Sequence, residues 1–430
     1  MMKILDRAEV TLEEILRRDD TQASEAVERA VADILETVKA RGDAAVLDYG
    51  ERFDGVRPAA LRVTDEEIDA AVASQDPAFL ETLELAAQNI REYHSRQVRT
   101  NFVLTKEDGV VMGQKITPIE RVGIYVPGGT ASYPSSVLMN AIPAKIAGVS
   151  EIIMVTPPAK DGGVAPAILA AAKVAGVTAI YKTGGAQAVG ALAYGTESIP
   201  KVDKIVGPGN IYVATAKRRV YGLVDIDMIA GPSEILVLAD AEADPVCVAA
   251  DLLSQAEHDR MASAVLVCDS HALAEAVAEE VEAQLKTLPR EDIARTSIEK
   301  NGKIIVASDL SEGIDIANAI APEHLELCVA DPFAMLARVK NAGSIFLGRS
   351  APEALGDYFA GPNHTLPTLG TARFSSPLSV DDFVKKSSFL YYTRDALEKV
   401  HTRIEDFAHR EGLDGHARSI AVRFDREAVK

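Results

Sequence analysis

The stretch that decides the fold is residues 121–156, which read R-V-G-I-Y-V-P-G-G-T-A-S-Y-P-S-S-V-L-M-N-A-I-P-A-K-I-A-G-V-S-E-I-I-M-V-T. Two short β-branched runs flank an apolar stretch of helical length, and glycines follow the first run. Strand, helix and strand at this spacing indicate a parallel sheet covered by helices on both faces. The pattern continues to about residue 240 and resumes after 245. It predicts an α/β protein with two doubly wound, Rossmann-like parallel-sheet units.

The remaining segments are predicted to surround these two units. We predict an N-terminal helical arm, a larger α/β unit in two segments, a smaller α/β unit and a small C-terminal helical tail, which occupy 1–25, 26–120 with 235–380, 121–234, and 381–430. The helical region before residue 100 is expected to pack in the larger unit. A D-G pair between two apolar runs predicts a hairpin at 103–112. The tail is too small to hold its own core, so it must lie on another surface.

Composition restricts the classes of partner. Lys and Arg number 45 against 64 Asp and Glu, a formal net charge of −19. Such an acidic chain is poorly suited to a nucleic-acid backbone or an anionic membrane as its main partner. No apolar run reaches the roughly 18 residues that span a bilayer, and the N-terminus lacks a signal-peptide core. Cys247, Cys268 and Cys328 lie in apolar sequence without paired spacing, so we expect reduced core thiols in a cytoplasmic protein.

Glycine-rich turns follow several predicted strands of the 121–234 unit, at 126–130, 182–188 and 206–210. Glycine allows close approach of a ligand to the backbone, and the helix N-termini behind such turns offer free N–H groups to a pyrophosphate. Ligands of such sheets bind at the carboxyl ends of the strands. The G-x-G-x-x-G pattern is absent after the first strand. A dinucleotide site and simple tight turns therefore both remain open.

Two further sets of polar residues point to chemistry. Glu323 and His324 follow Pro322 in a segment expected to be irregular, where an acid and an imidazole can handle protons at one cavity. Gln255 and His258 are three apart, which on a helix places them on one face. Together with Asp357 and His416 they form a mixed nitrogen and oxygen set suited to a divalent ion such as zinc. A solvated Glu-His pair and a polar helix end are the alternatives.

Longer stretches resemble the histidinol dehydrogenases over roughly residues 30–425. The resemblance rests on V-D-I-D-M-I-A-G-P-S-E-I-L-V-L-A-D, D-L-L-S-Q-A-E-H-D, K-T-G-G-A-Q-A-V-G-A-L-A-Y-G-T, V-G-P-G-N-I-Y-V, A-P-E-H-L-E and G-P-N-H-T-L-P-T. It implies NAD-dependent, four-electron oxidation of L-histidinol to L-histidine through histidinal, the last step of histidine biosynthesis. It also implies a homodimer in which the C-terminal tail completes the partner's site.

The resemblance assigns roles to single residues of this chain. Glu323 and His324 correspond to the acid/base pair. The ligands of one zinc per subunit correspond to Gln255, His258, Asp357 and His416. Substrate contacts correspond to those four residues and to Ser233, His324, His364 and Glu411. The NAD contacts correspond to Tyr125, Gln187 and Asn210.

Three other functions remain as alternatives. A relative within the family could oxidise another amino alcohol or small alcohol. A zinc hydrolase could use the same carboxylates and imidazoles to activate water, but it has no need of glycine-rich turns aimed at a dinucleotide. A metal-stapled interaction protein is disfavoured because it has no use for an adjacent Glu323 and His324 in a chain of only eight histidines.

Overall fold

The structure is a computed structural model that describes residues 2–16, 24–106, 109–128 and 132–425. Its strands are β1 Lys3–Asp6, β2 Phe102–Lys106, β3 Val110–Pro118, β4 Arg121–Tyr125, β5 Glu151–Thr156, β6 Ala179–Lys182, β7 Lys204–Val206, β8 Asp225–Ile226, β9 Glu234–Ala239, β10 Ser263–Cys268, β11 Lys303–Val306, β12 His324–Cys328, β13 Ser344–Leu347 and β14 Val384–Tyr392. Its helices are α1 Leu12–Leu16, α2 Glu25–Arg41, α3 Asp43–Asp54, α4 Asp65–Ala73, α5 Pro77–Ser95, α6 Pro134–Ala147, α7 Pro166–Ala175, α8 Gly185–Tyr194, α9 Ile211–Val220, α10 Pro245–Ala256, α11 His271–Leu285, α12 Glu291–Asn301, α13 Leu310–Ile320, α14 Pro332–Leu336, α15 Glu353–Tyr358, α16 Arg394–Glu398, α17 His401–Arg410 and α18 Asp414–Ala421.

The chain divides into two compact units. The first comprises residues 1–98 and 119–383, and the second comprises 99–118 and 384–430. The first unit contains a six-stranded sheet of order β1-β11-β10-β9-β12-β13 and a five-stranded sheet of order β6-β5-β4-β7-β8. Every strand pair in both sheets is parallel. The predicted pair of doubly wound, parallel-sheet units is confirmed.

Alternation along β5 shows how the five-stranded sheet buries both faces. Ile152 and Met154 pack in one core cluster with residues of α6 and α7, while Ile153 and Val155 pack in another with residues of α8. Successive side chains of a strand point to opposite faces, so a continuous apolar run is required where both faces are covered. This arrangement explains why E-I-I-M-V predicts an interior strand.

Helices α2 to α5 pack against α6 to α9, the helices that cover the five-stranded sheet. Val31 and Leu35 of α2 share a core cluster with Leu192 of α8, and Ile90 of α5 shares one with Ile142 of α6. This differs from the prediction, which groups these helices with residues 235–380. An amphipathic helix requires an apolar surface to cover, but its periodicity does not specify which of two sheets supplies it.

The N-terminus also differs from the predicted helical arm. Residues 3–6 form β1, an edge strand that pairs in parallel with β11 in the register Ile4↔Ile304. Only α1 is helical within the described part of this segment, and residues 17–23 of the predicted arm lie outside the described residues. The run K-I-L-D is too short to distinguish a strand from a helix by its pattern.

The second unit is built on an antiparallel sheet of order β14-β3-β2. The pairing Val103↔Gly113 confirms the hairpin prediction, although turn residues 107 and 108 lie outside the described residues. Helices α16 to α18 agree with the predicted helical tail, but β14 does not. Its residues pair with β3 from Val384↔Pro118 to Tyr392↔Val110. The distant partner strand supplies the hydrogen bonds that favour a strand here.

The helices and the cysteines bear on two of the predictions made from composition. Within the described ranges, no helix has both the length and the apolar character needed to cross a bilayer. Cys268 and Cys328 are buried and unpaired, as predicted. Cys247 is free but exposed, so its prediction as a core thiol is wrong. It lies on α10, a helix that buries only one face, and apolar neighbours in sequence do not specify that face.

Candidate active site

The Glu323-His324 pair lies where α13 turns into β12. The helix ends at Ile320, Ala321 adopts a left-handed φ of 53°, and His324 is the first residue of β12. The segment is therefore regular from His324 onward, in contrast to the irregular segment predicted. Glu323 and His324 are both buried, so the solvated-pair alternative is wrong.

The backbone of Glu234 orients both side chains. Nδ1 of His324 lies 2.9 Å from the carbonyl oxygen of Glu234. A carbonyl oxygen only accepts, so Nδ1 must carry a proton, and in the neutral ring Nε2 keeps its lone pair. Oε2 of Glu323 accepts a 2.9 Å hydrogen bond from the Glu234 backbone N–H. Register explains this arrangement, since β9 and β12 are neighbours with His324 opposite Ile235.

Helix α15 presents two carboxyl groups to the free nitrogen of His324. Nε2 lies 3.7 Å from Oε1 of Glu353 and 3.9 Å from Oδ1 of Asp357. Glu353 and Asp357 are four apart and therefore share one helix face. One ligand atom from each of these three residues lies within 4.8 Å of the others, a spacing compatible with a metal ion. Sequence reasoning missed Glu353, whose only signal is its position one turn before Asp357.

Gln255 and His258 approach this region from α10. Gln255 is buried near the end of the helix, and His258 lies beyond that end, with its backbone N–H 3.1 Å from the carbonyl oxygen of Gln255. The two are therefore adjacent, but they do not share a helix face as predicted. Nε2 of Gln255, Nε2 of His324 and Oε1 of Glu353 are buried without a hydrogen-bond partner in the described part of the chain. Orphaned polar atoms of this kind fit a site that binds a polar or metallic ligand.

Burial shifts the proton affinity of these groups. It lowers the pKa of His324, which keeps the ring neutral at pH 7. Burial, followed by repulsion from Asp357, raises the pKa of Glu353 to about 7, and burial raises the pKa of Asp357 to about 6. Burial also raises the pKa of Glu323 well above its ordinary value. A bound dication would oppose the carboxyl shifts by stabilising their charged forms, so the residues present fit a divalent metal.

His364 joins the same cavity from the loop after α15. Its Nδ1 lies 3.1 Å from the carbonyl oxygen of Asp357, and its Nε2 lies 3.4 Å from Oγ of Ser136. Burial lowers the pKa of His364 to about 4, so the ring is neutral. His324, Asp357 and His364 line a cavity of about 210 Å³. The predicted neighbourhood of His364 is consistent with this geometry, and Ser136 is a neighbour that sequence reasoning missed.

The other predicted substrate contacts lie in two places. Ser233 immediately precedes β9, next to the orienting residue Glu234. Glu411 and His416 belong to the second unit, where they line a cavity of about 370 Å³ together with Arg403 and Phe407. The structure thus groups most candidate residues in the first unit and these two in the second.

The predicted NAD contacts surround adjacent strand ends of the five-stranded sheet. Tyr125 ends β4 and its hydroxyl oxygen accepts a 2.9 Å hydrogen bond from the N–H of Gly185 at the start of α8. Gln187 lies buried in the first turn of α8. Asn210 caps α9 by accepting from the N–H groups of Tyr212 and Val213. Strand order reverses between β4 and β7, where dinucleotides bind in such sheets. Residues 129 and 130 of the first glycine-rich turn lie outside the described residues.

The turn at Gly207 is fixed by close contacts. Its φ is +108°, and a Cβ there would lie 2.2 Å from the carbonyl oxygen of Tyr125. Oδ2 of Asp227 accepts a 2.7 Å bond from the Gly207 N–H, and Nζ of Lys217 donates a 2.9 Å bond to its carbonyl oxygen. Lys217 and Asp227 also form a buried ion pair. Glycine is therefore required at this position by contact between loops, and sequence reasoning missed the pair that holds it.

Proteins similar to this chain include several histidinol dehydrogenases. A family model described as histidinol dehydrogenase matches residues 16–424. The histidinol dehydrogenase of Geobacillus kaustophilus (strain HTA426) is 58% identical over 411 residues, which cover 96% of this chain and 97% of that protein. That of Listeria monocytogenes serovar 1/2a (strain ATCC BAA-679 / EGD-e) is 57% identical over 416 residues, 97% of each chain. The crystal structure of histidinol dehydrogenase from Elizabethkingia anophelis superimposes with a TM-score of 0.93 at 38% identity over 98% of both chains. The chain belongs to the histidinol dehydrogenase family.

Proposed function

We propose that this protein oxidises L-histidinol to L-histidine through histidinal, with reduction of two NAD molecules, in the last step of histidine biosynthesis. The observation that carries the proposal is the buried His324, whose basic Nε2 faces Glu353 and Asp357 in a cavity of the first unit. Membership of the histidinol dehydrogenase family supports the substrate and the reaction. A cytoplasmic location is part of the same proposal.

His324 acts as the general base in the first oxidation. Its neutral ring accepts the proton of the substrate hydroxyl on Nε2, while the C–H bond breaks and hydride passes to the nicotinamide. The bond from Nδ1 to the carbonyl oxygen of Glu234 holds the ring and stabilises the imidazolium that forms. One NADH and one aldehyde result, and the proton leaves from His324 before the next step.

Glu323 activates water in the second oxidation. Its carboxylate takes a proton from water as the water oxygen bonds to the aldehyde carbon, and the π electrons of the C=O bond move to the aldehyde oxygen to give the hydrate anion. His324 then accepts the hydroxyl proton of the hydrate while the second hydride passes to a second NAD. Burial raises the pKa of Glu323, and the positive charges of a nicotinamide and a dication, when bound nearby, would favour its ionised form. Confining the aldehyde between steps protects it from side reactions.

A zinc ion fits the donor set of the cavity. Gln255, His258 and Asp357 would hold it, with the partner subunit's His416 as the fourth ligand, one ion per subunit. Orphaned buried atoms at Gln255, His324 and Glu353 support a ligand at this place. When bound, zinc supplies a Lewis-acidic anchor for the imidazole and amino groups of the substrate.

The proposed assembly is a homodimer in which the tail of each subunit completes the site of its partner. The second unit carries exposed apolar side chains on its sheet and helices, including Leu390 at 69% and Phe407 at 66% exposure. Apolar exposure of this kind is typical of a surface covered by a partner. Glu411 and His416 belong to this unit, so the partner's tail would bring both to the substrate.

The reaction stoichiometry tests the proposed function. We expect two NADH formed per histidine when L-histidinol is the limiting substrate, because the alcohol and the aldehyde each lose one hydride. Absorbance at the NADH band, combined with chromatographic quantification of histidine, measures the ratio. A ratio of one would show that only one of the two oxidations takes place. Equal turnover of amino alcohols that lack an imidazole would identify a different substrate.

Removal of the metal is expected to abolish turnover, and zinc is expected to restore it. The proposed ion anchors the substrate, so chelation should remove histidinol binding while NAD binding persists. Calorimetric titration of the chelated protein with each ligand, before and after zinc is added back, measures both. Full activity in protein shown by elemental analysis to be metal-free would remove Gln255, His258, Asp357 and His416 from the site.

A further inference from the structure

Two further carboxyl groups, those of Asp251 and Glu326, lie next to Glu353 of the candidate site. Each of the three acids is one strand repeat or one helical turn away from another residue of the site on its own element. Glu326 is two residues after His324 on β12, so both side chains lie on the same face of the strand. Asp251 is one helical turn before Gln255 on α10, and Glu353 is one turn before Asp357 on α15.

Glu326 connects the three elements through its carboxyl group. Its Oε1 accepts a 2.7 Å hydrogen bond from the backbone N–H of Glu353, in the first turn of α15. This group also lies close enough to the carboxyl group of Asp251 on α10 for each, in addition to burial, to change the pKa of the other. Glu326 is 1% exposed, so these contacts are made away from solvent. Strand β12 carries His324, α10 carries Gln255 and α15 carries Asp357. These three elements therefore meet at the side chain of Glu326.

Helix α15 depends on this contact because its own sequence supplies no cap. It has only six residues, and its N-cap residue Pro352 makes no side-chain hydrogen bond. The first N–H groups of a helix need acceptors, and loss of a capping acceptor costs helix stability. Glu326 supplies one such acceptor from the neighbouring strand. The direction in which α15 presents Glu353 and Asp357 thus follows the position of Glu326.

We propose that Glu326 is a positioning residue, which sets the orientation of α15 and α10 and thereby of the carboxylate and amide donors for the metal. The inference rests on the metal site of the proposed function. Groups that orient metal ligands from behind commonly change metal affinity or activity by about 10–100-fold when they are removed. No contact of Glu326 with substrate or cofactor is involved.

The test compares zinc affinity in Glu326→Leu, Glu326→Gln and the wild-type protein. Metal-free protein is titrated with zinc against a chromophoric chelator, and circular dichroism checks folding. Glu326→Leu is expected to lower zinc affinity by about 10–100-fold, because the acceptor for the Glu353 N–H is lost. Glu326→Gln is expected to stay within about threefold, because its amide oxygen can accept the same bond from the Glu353 N–H. Burial, together with the neighbouring Asp251, raises the pKa of Glu326 to about 9, so glutamine also matches its charge.

Cys328→Ala is the matched control for a general disturbance of the strand. Cys328 is buried two residues further along β12, and its Sγ lies 4.0 Å from Oε2 of Glu326. This variant should lose thermal stability without a change in zinc affinity. If Glu326→Leu fails to fold, Asp251→Ala provides the measurement, since Asp251 is partly exposed and its loss frees Glu326 without removing the cap. It is expected to weaken zinc binding by roughly threefold to tenfold.

Three results would overturn the inference. The first is wild-type zinc affinity in folded Glu326→Leu, or in Asp251→Ala where that variant replaces it. The second is an equal loss of affinity in Glu326→Leu and Glu326→Gln, which would tie the effect to the carboxylic acid rather than to the hydrogen-bond acceptor. The third is an equal loss in Cys328→Ala. A wild-type protein that binds no zinc would instead overturn the metal site of the proposed function, and this inference with it.

Discussion

Replacement of His324 by asparagine is expected to lower kcat by about 10²–10⁴-fold, the contribution typical of a positioned general base. An asparagine amide can still donate to the carbonyl oxygen of Glu234, the contact that Nδ1 makes at 2.9 Å, but it offers no basic nitrogen to the substrate. Oxidation of both histidinol and supplied histidinal should slow, because each step releases a hydroxyl proton. Steady-state NADH formation with each substrate measures the two effects.

The pH profile provides a second measurement of the same residue. Burial lowers the pKa of His324, and the neutral ring is the active base. The wild-type activity should therefore persist as pH falls through the usual range of an exposed imidazole, and decline only below it. In His324→Asn this acid limb should disappear from the residual activity. An unchanged acid limb would assign the titration to another group.

Glu323→Gln separates the two oxidations. Its amide oxygen can accept the bond from the Glu234 N–H, so the fold of the site should persist. Only the second oxidation consumes water, so histidinal oxidation should slow while the first hydride transfer proceeds. Single-turnover kinetics with histidinol would show one rapid NADH followed by a slow second one. Normal oxidation of supplied histidinal by this variant would show that Glu323 does not activate water.

The sequence alone is enough to predict the two parallel-sheet units, because their signal is local. In E-I-I-M-V each residue faces a covered side of the sheet, so the apolar run records the environment of a central strand. The residue pattern of an element does not predict its structure where the strand or sheet that it packs on is distant in sequence. Strand β14 is stabilised by its pairing with β3, and helices α2 to α5 could cover either sheet by their periodicity. The prediction and the structure differ most at β14 and in the packing of α2 to α5.

The sequence indicates candidate residues for the site but not their geometry. Resemblance to the family points to Glu323 and His324, whereas the backbone of Glu234 that orients them emerges only from the register of β9 and β12. Glu353 carries no motif of its own, since its role depends on a short helix facing Nε2 of His324. Contacts between separate elements depend on packing, and packing is not readable from residue types.

Mixed dimers are expected to recover about a quarter of wild-type activity from two subunits that are inactive alone. One subunit carries His416→Ala in α18 of the second unit, and the other carries His324→Ala in β12 of the first unit. In the proposed dimer each site takes its tail from the partner, so one site of a mixed dimer collects both defects and the other neither. A two-fold axis makes this exchange reciprocal. Random pairing after joint unfolding and refolding makes about half of the dimers mixed, each with one intact site of two.

A third variant distinguishes loss of a ligand from damage to the tail. His409 lies in α17 of the same unit, is exposed, and among the described residues its ion pair is with the nearby Asp414. His409→Ala should therefore keep its activity alone, whereas His416→Ala should lose it. Native mass spectrometry with one subunit isotopically labelled would establish the fraction of mixed dimers. Because a site made from a single chain keeps its defect in every pairing, no recovery at a confirmed mixed fraction of about half would contradict the exchanged tail. Recovery that rises in proportion to the mixed fraction is the result that the exchanged tail requires.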